Sequence, residues 1–182
     1  MQKQAKLILL IGAPSTGKTS VLKHLSDIGY DCFEEISREI VQEARQNGIS
    51  HLFQKEPLLF SDKLLEKRKE QFYSAKQIDS KFVFIDRGLP DITAYLDMVK
   101  TSYPSRFTEA NRLYKYDKVF WFPIWQDIYT SDSERYEDLR LATQIQHFLI
   151  ETYSALGYDL IEVPKSSIKN RAEFMLSYLN DR

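Results

Sequence analysis

Residues Gly12-Ala13-Pro14-Ser15-Thr16-Gly17-Lys18-Thr19 place two glycines, a lysine and a hydroxyl at the spacing G-x-x-x-x-G-K-[ST]. Glycines let the backbone turn tightly, so successive N–H groups point inward and cradle phosphate oxygens. The lysine of such a loop bridges the terminal phosphates, and the last hydroxyl ligates magnesium. The residues expected to touch the ligand are therefore Gly12, Ala13, Pro14, Ser15, Thr16, Gly17, Lys18, Thr19 and Ser20. The ligand expected from this chemistry is a magnesium-bound nucleoside triphosphate, ATP or GTP. An Asn-Lys-x-Asp guanine motif occurs nowhere in the chain.

Further candidates follow apolar runs. Phe82-Val83-Phe84-Ile85 ends in Asp86, the place where P-loop proteins keep an acid that contacts magnesium directly or through water. Asp86 otherwise caps the next loop. Arg87 either holds a substrate phosphate or carboxylate, or pairs with Asp86. Glu34-Glu35-Ile36-Ser37-Arg38 brings two carboxylates and a guanidinium beside the phosphate loop. Glu35, ahead of Glu34, is the candidate to accept a proton from an attacking hydroxyl, and Arg38 the candidate to orient an anionic acceptor. Acids in a helical first turn explain the same segment without any ligand. The polar stretch Asp127 to Arg140 is where a lid is expected, with Arg135 and Arg140 closing on the transferring phosphoryl. Trp121 and Trp125 read as core and lid packing rather than as a base-stacking pair. Pro164-Lys165-Ser166-Ser167 borders the nucleotide base in related folds, or is an ordinary helix entry.

These residues need a scaffold, and the apolar pattern supplies one. Leu7–Ile11, Phe82–Ile85, Val119–Phe122 and Leu160–Val163 are continuous apolar or nearly apolar runs of strand length, with Tyr30–Phe33 a weaker fifth. Helical patterns alternate with them: Thr19–Ile28, Ser37–Asn47, Pro57 to about Ser80, Leu89–Lys100, Pro104–Tyr114, Asp138–Leu156 and Ser167–Leu179. Gly29, Gly48 and Gly157 stand where helices end. In the long third pattern, Leu58, Leu65 and Phe72 form a stripe, and Lys67-Arg68-Lys69 reads as a solvated face. In the sixth, Leu141, Ile145, Phe148 and Thr152 are the expected inward face. Alternating strands and helices predict a three-layer α/β/α fold around a five-stranded, mostly parallel sheet. Ligands in such folds bind at the carboxyl ends of the strands, where all the candidates above lie.

Composition limits the function classes. The 182 residues suit one core and predict a single domain over residues 1–182, with a lid at about 126–140. Twenty-five basic residues against 26 acidic ones leave a formal charge of −1, so no nucleic-acid or membrane-surface footprint is expected. No apolar run has the length of a membrane span or signal core, and a single cysteine, Cys32, forms no intrachain disulfide. Both features predict a cytoplasmic protein, with Cys32 a small buried residue.

The segments GAPSTGKTS, EEISRE and FIDRG resemble the small P-loop "AAA domain" family, as do ERYEDLR and LGYDLIEVPKSSIKNRAEFML. That family includes the nicotinamide riboside kinase domain of the bacterial NAD regulator NadR. The likeness covers nearly the whole chain and is to that domain alone. It implies a nucleoside-kinase-like fold and phosphoryl transfer to a small hydroxyl-bearing acceptor. Lys18 and Thr19 match the nucleotide site, Asp86 the strand-end acid, Arg135 and Arg140 the lid, and Glu35 with Arg38 the acceptor side. One position departs: Gly88 follows Arg87 where nucleoside kinases often carry serine. The first functional expectation is thus a kinase using Mg-ATP and a small-molecule acceptor. Relatives described as GTP- and lipid-binding keep a second open, a nucleotide-dependent regulatory module with slow hydrolysis. A DNA-repair accessory ATPase fits poorly with the balanced charge.

Overall fold

The computed structural model describes residues 4–49, 52–128 and 139–180. Its sheet contains β1 (Lys6–Ile11), β2 (Asp31–Phe33), β3 (Phe82–Asp86), β4 (Lys118–Trp121) and β5 (Leu160–Glu162). The spatial order is β2-β3-β1-β4-β5, and every neighbouring pair is parallel. The expected "mostly parallel" sheet is wholly parallel among the described strands.

The apolar runs explain this arrangement. A parallel sheet covered on both sides needs apolar residues at every position of its central strands. From Leu7 to Ile11, β1 is fully buried. Leu7, Leu9 and Ile11 face one core, whereas Ile8 and Leu10 face the other. Each such side chain contributes about 1.5–3 kcal/mol by leaving water. The second core is closed by α1 (Lys18–Asp27) and α8 (Ile168–Asn180), through Val21, Leu22, Leu25, Ala172 and Met175.

The first core is closed by α2 (Ser37–Gln46), α3 (Leu52–Lys55), α4 (Pro57–Gln77), α5 (Leu89–Met98), α6 (Arg106–Leu113) and α7 (Leu139–Ala155). The glycines expected at helix ends have the left-handed backbone such ends need, with φ of 96° at Gly29, 76° at Gly48 and 80° at Gly157.

Three expectations change. The short helix α3 had no separate sequence signal, being four residues long. The buried face of α7 is Ala142, Ile145, Leu149 and Tyr153. Leu141 and Phe148 only flank it, because the large Tyr153 ring rather than Thr152 takes the core position. Most consequentially, Arg68 of α4 is not solvated. It is 2% exposed, lying three residues after Leu65 and four before Phe72 on the buried side. Its partners explain why.

Candidate active site

The phosphate loop leaves β1 and enters α1 directly. Gly12 and Gly17 have φ of 147° and 86°, and Ser15 has 61°, so the chain curls through left-handed conformations that glycine makes accessible. A Cβ at Gly12 would lie 2.6 Å from the Phe122 carbonyl oxygen. Lys18 is buried and folds back over the loop. Its Nζ donates to the carbonyls of Gly12 at 2.9 Å and Ala13 at 2.8 Å, and to Thr16 Oγ1 at 3.2 Å. Burial, and after it the charge of Arg87, lowers the Lys18 pKa to about 8, against the opposing pull of Asp86, Asp91 and Glu35. Pro14 and Ser15 are half-buried, and Thr19 and Ser20 are exposed on the first turn of α1.

Asp86 ends β3 beside this loop. Its Oδ2 accepts a hydrogen bond from the Thr19 hydroxyl at 3.3 Å. Its Oδ1 is buried and has no hydrogen-bond partner among the described residues. Burial raises the Asp86 pKa, with Lys18 opposing. A buried carboxylate oxygen without a donor, next to a hydroxyl, is the oxygen-rich donor set a magnesium ion takes. The two residues named for the metal therefore fit it.

Glu35 follows β2 and lies in a cage of arginines. Its Oε1 accepts from the Ser37 amide at 3.0 Å and from Arg68 at 3.0 Å. Its Oε2 lies 2.7 Å from Arg87 Nε without an aligned hydrogen bond. Burial would raise its pKa, but Arg68 and Arg87 with the Ser37 amide outweigh that and lower it. Arg68 also donates to the Gly88 carbonyl, so α4 braces both sides of the site. Arg87 has φ of 69° and continues the sheet through its amide to the Leu10 carbonyl at 3.0 Å. Its guanidinium pairs with Glu35 and Asp91, and lies 5.6 Å from the Tyr95 ring. These are the partners it takes, rather than the adjacent Asp86 proposed for it. Gly88 has its own reason to be glycine: a Cβ there would meet Leu9 Cδ2 at 2.8 Å and the Tyr116 ring at 2.9 Å. Tyr116 fills the space of a serine side chain, and its hydroxyl accepts the Leu89 amide at 3.2 Å.

The structure thus brings Lys18, Thr19, Asp86, Arg87 and Glu35 to the ends of adjacent strands. Glu34 and Arg38 are exposed beside them, and the Glu34 carbonyl accepts from Gln71. Arg140 is exposed in the first turn of α7, and Arg135 lies outside the described residues.

Sequence reasoning missed Arg68, Asp91 and Arg171. Arg171 of α8 donates to the Thr16 carbonyl at 3.1 Å, and its guanidinium stacks near Phe122 and Trp125. With Trp125, Pro164 and Lys165 it lines a narrow crevice beside Thr16 of the loop. Cys32 is half-buried rather than buried, and burial followed by the Asp31 charge raises its thiol to about 12.

Among solved structures, the chain is similar to a thymidylate kinase from Candida albicans, with a TM-score of 0.69 and 15% identity over 98% of this chain and 92% of that one. It is similar to a deoxyadenosine kinase from M. mycoides with bound dCTP, with a TM-score of 0.68 and 15% identity over 97% and 100%. It is also similar to a NadR protein in complex with NR, with a TM-score of 0.73 and 12% identity; there it covers 97% of its own length but 50% of NadR. At these identities the likeness shows the fold, that of P-loop kinases. No curated protein sequence matches the chain. Residues 7–171, from the first buried strand residue to the arginine that grips the phosphate loop, match the model of the AAA domain family, and the chain belongs to that family.

Proposed function

We propose that the protein is a small-molecule kinase that transfers the γ-phosphoryl of Mg-ATP to a hydroxyl of a nucleoside-like acceptor. The observation that carries this reading is a juxtaposition. A phosphate loop with its strand-end acid and a buried Glu35–Arg68–Arg87 cluster meet at the ends of the neighbouring strands β1, β3 and β2. A switch protein needs the first part only; transfer to an acceptor needs both.

Each residue then has a task. The loop amides and Lys18, freed from the carbonyls it now caps, hold the terminal phosphates. Thr19 and Asp86 would hold magnesium, which when bound neutralises phosphate charge. Glu35, kept ionised by Arg68 and Arg87, is the carboxylate that would accept the hydrogen of the attacking hydroxyl. Glu34, Arg38 and Arg87 border the acceptor. Arg135 and Arg140 belong to a lid at about 126–140 that brings positive charge to the transferring group. Pro164 and Lys165, beside Trp125 and Arg171, would border the base of the nucleotide, which is ATP with GTP as the alternative. Residues 1–182 work as one kinase domain on a small-molecule acceptor, without nucleic acid.

One observation favours the regulatory alternative. Glu35 is already satisfied by two arginines, as in a site that binds a nucleotide without turning it over. Mg-ATP turnover with nicotinamide riboside, deoxyadenosine, thymidylate and shikimate, beside a Lys18→Ala control, separates the two. Acceptor-dependent turnover absent from the control is expected. Tight binding with no stimulation by any acceptor would sink the kinase reading for this panel.

A further inference from the structure

Asp91 is a buried acid to which the phosphoryl-transfer reading gives no task. It is 2% exposed and sits in the first turn of α5, where one carboxylate oxygen is enough to cap the helix. Asp91 Oδ2 does that, accepting from the Gly88 amide at 3.0 Å. The same oxygen accepts the Tyr153 hydroxyl of α7 at 2.6 Å, across 62 positions of sequence. Oδ1 accepts from Arg87 Nη1 at 3.2 Å. Arg87 is therefore gripped from both sides, by Glu35 and by Asp91, while its backbone is held in a left-handed conformation that non-glycine residues seldom adopt.

Tyr153 adds an independent observation. It is fully buried, and a phenylalanine would fill the same space. A buried hydroxyl costs free energy unless it is hydrogen-bonded, so its presence is explained by Asp91. Its helix, α7, packs against α5 and directly follows residues 129–138.

We propose that Asp91 is a positioning residue for phosphoryl transfer: its Oδ1 fixes the Arg87 guanidinium beside Glu35, and Tyr153 of α7 fixes Asp91. The inference rests on the kinase reading, but the placement of Arg87 can be measured apart from it. Asparagine is isosteric with Asp91 yet offers one acceptor oxygen where two are used. Whichever way its amide turns, an N–H faces Arg87 or the Gly88 amide. The Tyr153→Phe variant is gentler, removing only the hydroxyl.

The test compares the full-length protein with Asp91→Asn and Tyr153→Phe. Mg-ATP affinity, kcat and acceptor KM are measured with the acceptor panel. The Arg87 Nε–H signal is followed by NMR, assigned by its loss in Arg87→Lys. Asp91→Asn is expected to lower kcat about tenfold or more, and Tyr153→Phe about threefold, with nucleotide affinity within about twofold of wild type. The Arg87 signal moves in both. A kcat that falls only in step with nucleotide affinity, or an Arg87 signal that stays in place, overturns the proposal. If Asp91→Asn does not fold, Tyr153→Phe decides by the same two readouts. If wild type transfers phosphate to no acceptor, the kinase reading fails on its own. The Arg87 signal then still decides whether Asp91 holds the guanidinium: displaced supports it, unmoved overturns it.

Discussion

Lys18 is a charge taken out of water. Its ammonium sits among loop carbonyls rather than in water, and burial with the nearby Arg87 charge brings its pKa to about 8. Phosphate oxygens stabilise the charged form, so the Lys18 pKa is higher with nucleotide bound than without. The sign follows from that difference. Below about 8 the free protein already carries the proton, and affinity is at its full value. Above it, binding must first take up a proton, and affinity falls by at most about tenfold per pH unit until the bound-state pKa is reached. Calorimetric titration of Mg-ATP in buffers of different ionisation heat measures both the affinity and the proton taken up. Flat affinity across the rise through pH 8, with no proton uptake, would show that Lys18 does not titrate there.

At the scale of elements, the loop depends on a helix from the far end of the chain. Arg171 reaches the Thr16 carbonyl from α8 over 155 positions, and its guanidinium lies where a Gly17 side chain would be, 2.6 Å from the added Cβ. Arg171→Met keeps the apolar stem against Phe122 and Trp125 but leaves that carbonyl without its donor. One lost hydrogen bond of a charged donor corresponds to about 1.5–3 kcal/mol. Part of that appears as an Mg-ATP dissociation constant raised roughly tenfold, measurable by fluorescence titration. Unchanged affinity with a lowered melting temperature would make α8 a support of the fold alone. Arg171 was not legible in the sequence, because nothing local distinguishes an arginine whose partner lies 155 positions away. Arg68 was closer to legible. Its spacing from Leu65 and Phe72 puts it on the apolar stripe, but it stands between two lysines, and that charge run masked the phase. Lys18, Thr19 and Asp86 were visible because their spacing and their place after apolar runs are local properties.

Over the whole molecule, the central strands were legible because a doubly covered parallel sheet demands unbroken apolar runs there, whereas the edge strands β2 and β5 carry Asp31 and Glu162 and left a weaker signal. Strand order was not legible, since each crossover is long and the partner of a strand is nowhere written beside it. The order β2-β3-β1-β4-β5 has a mechanical consequence. The phosphate loop lies after the central strand, with Asp86 on one neighbour and Phe122 on the other. A nucleotide there would sit where both halves of the sheet meet, on a loop that α8 braces through Arg171. It therefore binds the folded chain and not the unfolded one, and stabilises by RT ln(1 + [L]/Kd), about 2.7 kcal/mol at a hundredfold excess over Kd. For a chain of this size that raises the melting temperature by about 5–10 °C. Thermal melts with increasing Mg-ATP should show this rise in the wild type and a much smaller one in Lys18→Ala. Replacing magnesium with EDTA should reduce it as well, because Asp86 Oδ1 then stays without a partner and opposes the nearby phosphates. A rise equal in all three conditions would mean that the nucleotide is held somewhere other than this loop.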